Sequence, residues 1–85
     1  MEVLRTPEFE RSFRKLPSDA RKLYEIQENR FRENWDDPRL HMKRVEGLQG
    51  VLSFRVTRRY RVLFYLRDSR TAVFFEIDHR KDVYR

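Results

Sequence analysis

The chain has no cysteine, two glycines, three prolines and no long apolar run in its 85 residues. Each scarcity closes a route. Without cysteine there is no disulfide framework and no thiolate metal site, which fits a reducing compartment. The missing apolar stretch excludes a membrane-spanning helix, which needs about 20 residues. Met1-Glu2-Val3-Leu4-Arg5 also lacks the apolar run of an export signal, so a cytoplasmic protein without membrane association is expected. There is no Gly-rich phosphate loop, GxSxG elbow or helix-borne HExxH. His41 and His79 are far apart, the carboxylates are scattered, and together they form a weak ligand set, so neither metal nor other cofactor is expected. No linker or repeat interrupts the chain, and residues 1–85 read as one domain.

What is abundant is arginine and aromatic mass. Seven Phe, four Tyr and one Trp supply bulk for a core. The net charge of +6 is uneven: residues 1–38 hold eight Lys/Arg against nine Asp/Glu, whereas residues 39–85 hold twelve against five. Sixteen of the twenty basic residues are Arg, whose planar fork suits phosphate better than an ammonium does. A merely solvated surface would gain both signs together. The one-sided excess points to a polyanion partner.

Hydrophobic spacing then divides the chain. Val3-Leu4-Arg5 reads as a short opening strand. Thr6-Pro7 with Glu8 and Glu10 has the features of a helix start, and Phe9, Phe13 and Leu16 give that helix one apolar face. Pro17 breaks it. Ser18, aided by Asp19, is expected to cap a second helix running to about Asn34, with Ala20, Leu23, Tyr24, Gln27, Phe31 and Trp35 on its inner side. Beyond Asp36-Asp37-Pro38 the period becomes two. Leu52/Phe54/Val56, Val62/Phe64/Leu66 and Val73/Phe75/Ile77 predict three antiparallel strands, with turns near Arg58-Arg59 and Asp68-Ser69. Gly47 and Gly50 predict a turn before the first of them. The expected class is α+β: an opening strand and a two-helix hairpin on a twisted antiparallel sheet, then a short C-terminal turn or helix. The sheet's open face would carry Ser53, Arg55, Arg61 and Tyr65.

That face, with the closing His79-Arg80-Lys81-Asp82-Val83-Tyr84-Arg85, holds ingredients for phosphodiester chemistry. RNA is cut when its own 2′-hydroxyl attacks the adjacent phosphorus. A catalyst removes that proton, stabilises charge on the phosphoryl oxygens and protonates the leaving 5′-oxygen. Arginines on a rigid sheet can meet the second need, and His79 and Tyr84 the others. A tyrosine can also stack on a base. Each group has a plainer reading too: Arg55 and Arg61 could pair with Glu76 or Asp78 across strands, Arg58 and Arg59 could be solvated turn residues, and His79 could be structural. Lys43, Arg44, Arg55, Arg58, Arg59 and Lys81 are the candidate RNA contacts.

Three segments carry a resemblance: Gly50-Val51-Leu52-Ser53-Phe54-Arg55-Val56, Tyr60-Arg61-Val62-Leu63-Phe64-Tyr65, and Phe75-Glu76-Ile77-Asp78 running into the C-terminal motif. The chain resembles the RelE/ParE superfamily of toxins from bacterial and archaeal toxin–antitoxin systems, and its RelE-like branch in particular. The resemblance implies a metal-independent endonuclease that cuts mRNA in the ribosomal A site and inhibits translation. It also implies that Arg61 and Arg80 stabilise the scissile phosphate, that Arg55 orients it or shifts nearby pKa values, and that Tyr84 stacks on the base or joins proton transfer. His79 is a candidate from the residues alone. Ser53 departs from relatives that place a second lysine there. The resemblance further implies an antitoxin whose acidic amphipathic segment covers the basic groove, together with the ribosome and mRNA as partners. A ParE-like poison of DNA gyrase, or a non-catalytic RNA- or antitoxin-binding relative, stays open.

Overall fold

A computed structural model describes residues 1–79, and of His79 the backbone only. Strand β1 (Glu2–Arg5) leads into helix α1 (Pro7–Arg14) and helix α2 (Ser18–Glu33). A 3-10 turn (Pro38–Leu40) and the two-residue strand β2 (Lys43–Arg44) follow, then β3 (Leu52–Arg55), β4 (Tyr60–Asp68) and β5 (Thr71–His79). The five strands form one sheet in the order β1-β5-β4-β3-β2. β1 runs parallel to β5 and the other pairs are antiparallel, so the sheet is mixed, with a three-strand meander at its heart. The expected α+β class is present. The expected C-terminal turn or helix lies outside the described residues.

Local chemistry accounts for the helices. Thr6 caps α1 by accepting from the Phe9 N–H at 3.1 Å, and Pro7 follows in the first turn, where its missing N–H costs nothing. The cap of α2 corrects expectation: Pro17 occupies that position, Ser18 is the first helical residue, and Asp19 accepts from the Ala20 N–H at 2.9 Å. Ala20, Tyr24, Gln27 and Phe31 turn inward as expected, whereas Leu23 is 44 % exposed. It lies one step round the helix from Tyr24, beyond the edge of the buried stripe.

Aromatic rings hold the helices to the sheet. Phe31 meets Phe64 and Phe74 edge-on, with centroids at 5.1 and 5.0 Å, and lies 5.4 Å from Phe54. Such edge-to-face pairs add about 0.5–1.5 kcal/mol each beyond area burial. The third meander strand differs from its predicted alternation. Phe64 pairs with Phe74 and Leu63 with Glu76, so Phe75 is an extra residue in a β-bulge. Before the bulge Ala72 and Phe74 enter the core; after it Ile77 does. Val73 and Phe75 were expected on the core face, and the bulge shifts the phase between them and Ile77.

Candidate nucleic-acid interface

The face opposite the helices is built where β2, β3 and β4 meet. Lys43 lies across from Ser53, Ser53 from Leu63, and Arg55 from Arg61. Directly opposed residues share a face, so these side chains emerge together, while Leu52 and Phe54 pack toward the helices. By the same alternation Arg44, paired with Leu52, leaves β2 on the other side. Arg58 and Arg59 occupy the turn between β3 and β4 and are exposed, beside the half-buried Arg55. The turn closes through the Val56 N–H on the Tyr60 carbonyl at 2.9 Å and the Arg59 N–H on Thr57 Oγ1 at 3.0 Å.

Two arginines facing each other across strands would repel. The structure separates them by burying one. Arg61 is 1 % exposed, as is Ser53, whereas both were expected on an open surface. The physical reason is a set of acceptors. Arg61 Nε donates to Ser53 Oγ at 2.9 Å, and Nη2 donates to the Ser53 carbonyl at 3.1 Å and to the His41 carbonyl. The guanidinium thus lies across β3 and reaches the segment leading into β2. His41 sits in the left-handed region at φ 49°, ψ 54°, which costs a non-glycine residue about 1–2 kcal/mol. A charged donor on its carbonyl offsets part of that. No ion pair joins Arg55 to a carboxylate among the described residues.

A second buried polar side chain, Gln27 of α2, acts on the same region. Its Nε2 donates to the carbonyls of Arg39 at 3.0 Å and Arg55 at 2.8 Å, and its Oε1 accepts from Arg30 at 2.9 Å. The backbone carrying Arg55 is therefore fixed from the helical layer. Helical spacing puts Gln27 on the inner side of α2, while its partners come from distant segments that spacing does not reveal. A polar residue in an apolar stripe is the signal that it must find some.

Tyr65 is 41 % exposed on the open face, as expected, and its ring lies 6.0 Å from that of Phe75. His79 pairs through its backbone with Tyr60, one step from the Arg61–Asp78 pair, which places that residue at the Arg55 end of the sheet. Arg80, Lys81 and Tyr84 lie outside the described residues. A hollow of about 750 Å³ is lined by the Arg44–Leu52 loop, where Gly47 and Gly50 take positive φ and Leu48 stands exposed. Among the described residues Arg44 is the one cation lining it, so it is poorly suited to a phosphodiester. Among the described residues no group of three or more metal-ligating side chains converges, and no helix is long and apolar enough to cross a membrane.

A helical hairpin over a five-stranded mixed sheet is the fold of RelE-type toxins. The ParE-like toxin domain model matches residues 15–81, and the chain belongs to that family. A search of curated proteins found no match. Among solved structures, the RelBE2 toxin–antitoxin complex from Mycobacterium tuberculosis is 31% identical, with a TM-score of 0.63 over 93% of this chain and 96% of that one. The RelB-RelE antitoxin–toxin complex from Methanococcus jannaschii is 20% identical with a TM-score of 0.77, covering 96% and 95%. YafQ from E. coli reaches the same TM-score at 7% identity, covering 99% and 98%. The chain is thus a toxin of the toxin–antitoxin type, as its resemblance implied.

Proposed function

We propose that this toxin is a ribosome-dependent, metal-independent mRNA endonuclease that arrests translation in the cytoplasm. The observation that carries this reading is the cationic face: Arg55, Arg58 and Arg59, none in an ion pair among the described residues, lie along β3 and its turn, with Lys43 on the neighbouring strand across from Ser53. A stacked A-site nucleotide would lay its phosphate over Arg55. The 2′-oxygen attacks phosphorus as its proton leaves, a 2′,3′-cyclic phosphate forms, and the 5′-oxygen departs with a proton. Arg55 stabilises the added charge on the phosphoryl oxygens. Arg80 and Tyr84 join it on the strength of the resemblance, for phosphate contact and for base stacking or proton transfer. His79, at the same end of the sheet, is the further proton carrier. Arg61, expected to touch phosphate, is enclosed, and its contribution to the site runs through the residues it holds.

The partner that silences such a face is an antitoxin with an acidic amphipathic segment, because opposite charge both steers and covers the arginines. Toxin–antitoxin complexes among the similar structures support a partner of this kind. The enclosure of Arg61 favours one second reading, a ParE-like protein that poisons gyrase by binding without hydrolysis. Toe-printing of a translated mRNA with purified protein separates the two. Cuts within the A-site codon are expected. An uncut message with trapped gyrase–DNA breaks would replace the nuclease by the gyrase poison.

A further inference from the structure

The segment between α2 and β3 is fastened at two neighbouring carbonyls. Gln27 holds that of Arg39, and Arg61 holds that of His41. Two residues beyond His41 comes Lys43. Met42 packs against the core, so Lys43 leaves β2 on the opposite, basic face and is exposed there. Its cross-strand partner Ser53 carries no charge and spends its hydroxyl on Arg61. Along β3 the next residue on that face is Arg55, the diagonal neighbour of Lys43 at roughly 7–8 Å between backbones. Long side chains at that spacing can close on one phosphate group.

We infer that Lys43 is a phosphate-binding residue of this face and that Arg61 is a positioning residue acting through it. Arg61 does so by holding the His41 carbonyl, and with it the start of β2, against Ser53. The inference rests on reading this face as an RNA-binding surface, and it relocates the expected role of Arg61. The charge at the phosphate comes from two different strands, β2 and β3, and the buried guanidinium sets the distance between them.

The test is fluorescence anisotropy of a short single-stranded RNA with 2′-O-methyl riboses, which cannot be cut, in a salt titration. Lys43→Ala is expected to weaken binding on the order of tenfold and to reduce the slope of log affinity against log salt by about 0.7, one phosphate contact. Lys43→Arg restores most of the loss. Arg61→Lys keeps the charge but cannot span Ser53 and His41 together. It is expected to match Lys43→Ala, and the double variant to bind no more weakly than Arg61→Lys alone. Ser53→Ala, which removes an acceptor and no charge, moves affinity the same way by about two- to threefold. Lys22→Ala, on the outer side of α2, leaves binding unchanged. Binding by Lys43→Ala equal to wild type would overturn the assignment of Lys43. Losses that multiply in the double variant would overturn the positioning role, since Arg61 would then reach RNA independently. If wild type fails to bind the RNA, the face is not an RNA surface and both parts fall. Tight binding that depends on Lys43, with no cutting of translated mRNA, upholds this inference and removes only the nuclease.

Discussion

The helical half and the meander half of this molecule use charge in opposite ways. Five ion pairs among the described residues draw their carboxylate from the first thirty-eight positions. Glu28 alone serves Arg5 and Arg32, at 3.4 and 2.8 Å, and accepts from the Tyr24 hydroxyl. Through that carboxylate β1 and α2 are tied together. In the meander the exposed Arg67 pairs with its neighbour Asp68 at 3.6 Å. Arg44, Arg55, Arg58 and Arg59 have no carboxylate partner among the described residues. In the helical half charge joins elements; in the meander several arginines have no carboxylate partner among the described residues. Arg61 is the instructive exception, a meander arginine recruited for internal work.

The sharpest way to break this contrast is to attack what the halves share. Phe31→Ala removes a ring that touches Phe54, Phe64 and Phe74 of the sheet, and should cost about 3–5 kcal/mol, read from the urea midpoint. Loss of RNA binding should accompany unfolding; a basic half that kept its affinity while the helices melted would show that the two are independent. Gln27→Leu comes next. It leaves the Arg39 and Arg55 carbonyls without their donor and should cost about 1–3 kcal/mol, with weaker RNA binding through displacement of Arg55. Thr6→Ala removes the α1 cap and, with it, a long 3.4 Å bond from the same hydroxyl to the Phe75 carbonyl, far from Arg55, so a loss of about 1 kcal/mol is expected with RNA affinity at moderate salt unchanged.

Acid gives the smallest and most selective effect. Burial opposes ionisation of Glu28, yet hydrogen bonds from Tyr24 and Arg32 hold its carboxyl below the usual range. The Arg39 side chain and N–H hold Asp37 at about 2. Both groups have folded values below their unfolded ones. Their stabilisation is therefore complete above the ordinary carboxylate range, and for Asp37 it drains away as pH falls toward about 2. Asp37→Asn should flatten the acid limb of a melting-temperature profile. An unchanged limb would remove Asp37 from the account.

Much of this was legible beforehand because local rules and burial agree. Thr6-Pro7 gave the start of α1, and the period-two runs gave β3 and β4 with their faces. The single residue Phe75, inserted as a bulge, reversed the phase of the third strand, and nothing in Val73-Phe74-Phe75-Glu76 marks where such a residue falls. Leu23 could be placed on either side of a stripe boundary by helical spacing alone. β2 is two residues long and carries no periodicity; it exists because Ser53 and Leu52 offer an edge. The basic character of the face could be read from charge counting. The enclosure of Arg61 could not, because it depends on a serine hydroxyl and a carbonyl that are brought near only by the fold.

Phe54 and Arg55 are adjacent on β3 and face opposite ways, and Arg55→Ala tests the central assignment most directly. Substituted protein should melt close to wild type, since the side chain is partly exposed and joins no ion pair among the described residues, while A-site cleavage of a translated mRNA should fall on the order of a hundredfold or more. Cleavage at the wild-type rate by a folded Arg55→Ala protein would contradict the account.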